Sequence, residues 1–216
     1  NSGTANASNY QITQARNASS GTTQNTVSLS AAPLTVTGTT APSKTYDGTN
    51  TATVTGGSLS GTKGSDSITL TQAGTYSSVD AGSNISITMN DSVSGTGVST
   101  NYSLTQPTVT GTINKAPLGI TVSGIYSGST TLSPSSFTTT GLVNSETIST
   151  LTSATLNSKN VADNTTNYVS AIAINSGTAN ASNYQITQAR NASSGTTQNT
   201  VSLSAAPLTV TGTTAP

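Results

Sequence analysis

Residues 1–42 return, letter for letter, as residues 175–216. A chain with a period of 174 residues has to fold into units that can be laid end to end, because each copy meets the same neighbours. Identity between copies points away from an active site. Catalysis needs one constellation of reactive groups, whereas a shaft gains reach, and a multivalent binder gains avidity, with every added copy. The sequence opens and closes inside the pattern without an initiator Met, so it is expected to be a window on a longer polypeptide.

The period divides again. Ala-Pro-Leu occurs at Ala32, Ala116 and Ala206, spaced by 84 and then 90 residues. Each occurrence opens an alternating apolar pattern: Leu34 and Val36, then Leu118, Ile120 and Val122, then Leu208 and Val210. Tyr46-Asp47-Gly48-Thr49 in one half matches Tyr126-Ser127-Gly128-Ser129 in the other. The run from Ser94 to Asn101-Tyr102 aligns without gaps with Ser176 to Asn183-Tyr184. First and second Tyr lie 56 residues apart in one half and 58 in the other. The expected organisation is therefore the end of a B module at 1–31, an A module at 32–115, a B module at 116–205 and the start of the next A module at 206–216.

Composition sets the fold class. With 46 Thr, 36 Ser, no Cys, His or Trp, one Phe, and six acids against six bases, the chain lacks the charge that accompanies ordinary disorder. Its modest apolar content suits small, thinly cored β modules, and its β-branched residues favour strand throughout. The expectation is an all-β fold of tandem small sandwich or β-grasp-like modules in a linear array. Strands are expected at 33–38, 51–55, 67–71, 84–89, 101–105 and 108–113 in A. In B they are expected near 118–123, 147–152, 167–174, 183–187 and 200–204. Turns fall at Asp47-Gly48, Gly56-Gly57, Gly61, Gly64 and Asp80-Ala-Gly82. Ala116-Pro117, two residues past Ile113, is expected to form a short, stiff corner between modules.

The ordered motifs Lys44-Thr-Tyr-Asp-Gly-Thr49, Gly61, Asp66, Asp80-Ala-Gly82, Asn101-Tyr102 and Gly111-Thr-Ile113, running into Ala116-Pro117-Leu118, closely resemble the YDG repeat domain of large bacterial surface proteins. Module B resembles the MBG-type repeats often found beside it. It departs from A in carrying Ser127 for Asp47 and eight more residues between Asn-Tyr and the next Ala-Pro-Leu. The resemblance implies an extracellular or cell-surface all-β repeat in adhesin-like or filament-forming proteins. It implies no catalytic, cofactor-binding or metal residues.

The candidate sites fit a structural reading. Without His or Cys there is neither an imidazole base nor a thiol nucleophile, and one Glu leaves no ready carboxylate pair, so an enzyme is not expected. The acids are scattered singly where calcium would need several together; Asp66 and Asp80 are the pair to inspect. Tyr46-Asp47-Gly48 could offer an aromatic platform and a carboxylate to a ligand. The turn reading is preferred, because B keeps Tyr126 and Gly128 but discards the acid. Tyr76 and Tyr168 are the aromatics expected to be exposed, and would serve weak, multiplied glycan or protein sites. Lys44, Lys63, Lys115 and Lys159 lie among many Asn residues, the ingredients of an isopeptide cross-link, though edge charge is the simpler role. Balanced charge argues against nucleic acid, and the longest apolar run, 171–174, is too short to cross a bilayer. The expected partners are neighbouring repeats of the same chain and, in a filament, other copies, which would also order residues 1–31.

Overall fold

The structure, a computed structural model, describes residues 28–95, 98–186 and 198–212. Its first half runs β1 (Ala32–Thr37), β2 (Lys44–Thr45), β3 (Thr51–Ala52), β4 (Ser58–Ser60), β5 (Ile68–Thr71), β6 (Gly74–Tyr76), β7 (Gly82–Met89), β8 (Ser92–Gly95), a single helical turn α1 (Val98–Asn101), β9 (Tyr102–Thr105) and β10 (Val109–Asn114). The second half runs β11 (Ala116–Ile125), β12 (Thr131–Leu132), β13 (Ser136–Thr140), β14 (Ile148–Leu156), β15 (Val169–Gly177), β16 (Tyr184–Ile186) and β17 (Asn199–Ser204). The fold is all-β, as the composition requires.

The halves share one plan. In the first, β1 takes β4 antiparallel on one edge and β9 parallel on the other, with Ala32 opposite Tyr102. In the second, β11 takes β13 antiparallel and β16 parallel, with Ala116 opposite Tyr184. The closing strands also correspond. Strand β10 pairs with β2 through Ile113 and Lys44, and β17 with β11 through Leu203 and Gly124. Gly95 and Gly177 occupy one position, at φ +143° and +139°, where a side chain would strike the carbonyl of Ser67 or Thr147. Each lies opposite the first residue of an apolar strand, Ile68 and Ile148.

The differences have local causes. Strand β11 is continuous where the first half breaks into β1 and β2, because residues 38–43 carry Gly38 in the left-handed region, at φ +79°, and Pro42, which has no N–H to give a ladder. Likewise β14 and β15 are long where the first half splits into β5 and β6, and β7 and β8. At that break the Asp91 carboxylate accepts from Ala73 N–H (3.1 Å), while the Gln106 side chain pairs with both backbone groups of Asp91 at 2.9 Å. In the second half, the side chains of buried Asn199 and half-buried Asn164 stand in for strand pairing. Asn199 bonds both the N–H and the carbonyl of Val169 at 2.8 Å, and Asn164 does the same for Leu203 at 2.9 and 2.8 Å.

Several expectations need correction. The strand expected at 51–55 stops at Ala52, leaving Thr55 in an isolated bridge to Thr40, and that at 101–105 starts at Tyr102 because α1 precedes it. Strands β4, β6, β12 and β13 lie in stretches too rich in Ser, Thr and Gly to announce themselves by apolar alternation. Pro117 makes no corner. Only Lys115 separates β10 from β11, and Pro117 lies within β11 opposite Gln185, near the strand's start, where proline is tolerated. Tyr76 is not exposed; it is 2% accessible and packs over Gly111, whose missing side chain makes room for the ring. Tyr168 is half-buried. The idea that a neighbour orders residues 1–31 falls, for residues 1–27, outside the described residues.

Among the described residues, two apolar clusters hold the fold together. One belongs to the second half alone: Ile120, Val122, Leu132, Ala154, Leu156, Val169, Val201 and Leu203. The other crosses the boundary between halves. It joins Tyr46, Tyr76, Ile87, Met89, Val109 and Ile113 of the first to Ala116, Leu118, Ile148 and Tyr184 of the second.

Candidate functional site

The motifs singled out in the sequence converge where this shared cluster reaches the surface. Lys44 and Thr45 pair with Ile113 and Asn114, and the Tyr46 N–H extends the ladder to the Asn114 carbonyl at 2.8 Å. The chain then turns sharply. Asp47 accepts from the Thr49 N–H (2.9 Å) and hydroxyl (2.8 Å), and Gly48 takes φ +71°. Lys44 Nζ braces the turn from Asp47 (2.8 Å) and the Thr49 carbonyl (2.9 Å). Against the upward push of burial, these donors hold the Asp47 carboxyl at about 2. Asp47 and Gly48 thus shape a turn that delivers the Tyr46 ring, 5% accessible, to the second half.

The receiving surface has its own local logic. Asn180 accepts from Ser182 N–H (3.1 Å) and starts the 3-10 turn Ala181–Asn183, which ends at buried Tyr184. Opposite lies a turn closed by the Glu146 N–H to the Val143 carbonyl (2.8 Å), with Asn144 and Ser145 at φ +50° and +56°. Glu146 then binds two tyrosines at once. Tyr46 OH donates to Oε1 and Tyr184 OH donates to Oε2 at 2.6 Å, while the Val143 N–H donates to the Tyr184 oxygen at 3.1 Å. The rings meet edge to face, with centroids 5.6 Å apart and planes at 80°. Gly48 closes against Asn144, whose amide would collide with any side chain there.

A second polar contact lies alongside. Asn183, 1% accessible, donates to Asp80 Oδ1 at 2.7 Å and accepts from the Ala81 N–H at 2.9 Å, so its amide fills both roles across the boundary. Burial, then the hydrogen bond to Glu146, raises both tyrosine hydroxyls above their ordinary value of 10.0, Tyr184 to about 12.

The remaining sequence candidates are dispersed. Asp66 Oδ2 accepts from Tyr102 OH at 2.7 Å, and Lys63 N–H donates to the same tyrosine oxygen at 2.9 Å. Asp66 is engaged by Tyr102 while Asp80 is engaged by Asn183, and no group of three or more acids among the described residues could hold a metal ion. Asn101 is exposed and accepts from the Thr100 hydroxyl at 3.3 Å. Tyr126 is 39% accessible, and Gly128 turns at φ +77°. Lys44, a candidate for an isopeptide link, faces Asp47, Thr49 and Thr51.

Sequence reasoning missed Glu146, treating it as one of several isolated acids. A signal was present: the spacing that carries Tyr46 onto Tyr126 and Gly48 onto Gly128 also carries Asp66 onto Glu146. The two acids keep one bond in common, from the tyrosine of Asn-Tyr. Residues 30–110 match the family model of the YDG domain, so the first half of the chain is similar to that domain. No curated protein and no solved structure matches the chain.

Glu146→Ala leaves two buried hydroxyls without their acceptor and should cost about 2–4 kcal/mol in urea unfolding; Glu146→Gln, which keeps one acceptor, should cost about half as much. Raised tyrosine values make stability fully present below the ordinary tyrosine value of 10.0 and lost as pH climbs towards about 12. Unfolding midpoints should therefore fall through this window, and Tyr184→Phe should flatten the fall. An alkaline midpoint unaffected by Tyr184→Phe would contradict the assignment.

Proposed function

We propose that this chain is a stiff structural segment of a large bacterial extracellular or cell-surface protein, projecting or linking other parts, with an MBG-type second half beside the YDG-like first. The observation that carries this reading is the boundary between halves. An apolar cluster runs across it, two tyrosines share one carboxylate there, and a single residue, Lys115, connects the strands on either side. Loosely tethered beads need none of this. A shaft does, because bending at every joint would forfeit its reach. The identical repeat of residues 1–42 at 175–216 supports the same reading, since stacking requires the same contact surface in each copy.

Binding by the repeats themselves has less support. Tyr76, one of the two aromatics expected to offer a platform, is core, and Tyr168 is half-buried.

Stretching single tethered chains tests the proposal. The prediction is a stepwise record in which both halves of a unit yield as one event, releasing on the order of 600 Å of extended chain. A featureless extension typical of flexible coil would overturn it.

A further inference from the structure

The surfaces that meet between the halves recur at their other ends, without a partner among the described residues. At the far end of the second half, the Tyr126 N–H donates to the Ser204 carbonyl at 2.8 Å, as the Tyr46 N–H does to Asn114. One residue, Ala205, then leads to Ala206-Pro207-Leu208, as Lys115 leads to Ala116-Pro117-Leu118. Here, however, Leu208 is 94% accessible, where Leu118 is 1%. Tyr126, Val161, Ala162, Ala206 and Leu208 line an apolar hollow of about 540 Å³. Their counterparts at the boundary, Tyr46, Ala116 and Leu118, belong to the closed cluster.

At the near end of the first half, the receiving turn is equally complete. Asp66 N–H closes on the Lys63 carbonyl (3.2 Å) and Tyr102 OH occupies Oδ2, matching Glu146, Val143 and Tyr184 bond for bond. Among the described residues, Asp66 Oδ1 has no hydrogen-bond partner; at Glu146 the second oxygen receives Tyr46. Gly64 stands where Asn144 does and, among the described residues, has nothing within 4 Å of the side-chain position. Gly128, the counterpart of Gly48, is nearly as open, meeting among the described residues only its neighbour Tyr126 at 4.0 Å.

We infer that Tyr126 of one unit donates its hydroxyl to the open Asp66 oxygen of the A half in the next unit, making a second seam on the plan of the first. Residues 206–212 repeat 32–38, the opening of an A half, so the occupant inferred is a further A half of this same sequence, with Asp66 and Tyr102 in their places. This rests on the shaft reading. The contact is head to tail, so each further copy can repeat it. It also explains why B retains Tyr126 and Gly128: the tyrosine is what reaches the next unit.

The test uses the chain extended beyond Pro216 through the sequence of Ser43–Lys115, compared with the chain ending at Pro216. Tyrosine nitration followed by peptide mapping reads Tyr126 directly. Extension should slow modification of Tyr126 about tenfold or more, as expected when reaction awaits local opening. Asp66→Ala in the added copy alone should restore it. Because that variant also unpairs Tyr102, Tyr126→Phe provides a second reading: it should lower the melting point of the added half while leaving the unextended chain unchanged. Equal nitration of Tyr126 in both chains, or an added half indifferent to Tyr126→Phe, would overturn the inference. A stiff array in the stretching experiment together with accessible Tyr126 would remove this seam alone; a protected Tyr126 in a flexible array would remove the shaft reading alone.

Discussion

The Glu146 carboxylate, held between two tyrosine hydroxyls of different halves, is the constraint on which the arrangement of the halves depends. A half-buried carboxylate needs donors to replace the water it has lost, and here each oxygen has one. Those donors are tyrosines, whose rings continue straight into the apolar cluster below. Polar and apolar parts of the boundary are therefore one object: the hydrogen bonds fix which way the rings point, and the rings determine which surfaces close.

This places the YDG-type motif in a different light. Tyr, Asp and Gly divide the labour: Asp47 and Gly48 make the turn, and Tyr46 leaves the half that made it to pack on its neighbour. The Asn-Tyr motif is the other side of the same contact, Tyr184 sharing Glu146 with Tyr46 and Asn183 reaching back to Asp80 and Ala81. Residues that recur in sequence because they recur in space need no ligand to explain them.

Much of this was legible in the sequence. The alternation at Leu118, Ile120 and Val122, or at Ile85, Ile87 and Met89, gave strands close to those observed, because one buried and one wet face leave a period of two. The glycine positions were informative where the backbone turns left-handed, as at Gly48, Gly61 and Gly64. Strands such as β13, with Phe137 its one apolar residue, were not legible, since their place comes from pairing with β11 rather than from their own pattern. Asn199 and Asn164 were hidden for the opposite reason: an amide that substitutes for a backbone partner looks, in an Asn-rich sequence, like any other. Glu146 was invisible while each acid was weighed alone, and becomes visible only when the halves are laid over one another.

The central claim is that the two halves form one cooperative body across the Glu146 seam. Its most direct test is equilibrium unfolding followed by site-resolved NMR, with Val36 and Tyr102 reporting on the first half, Val169 and Leu203 on the second, and Ile113 and Leu118 on the boundary. The account predicts coincident midpoints at all six sites. Separate transitions for the two halves, with Ile113 and Leu118 losing structure first, would contradict it.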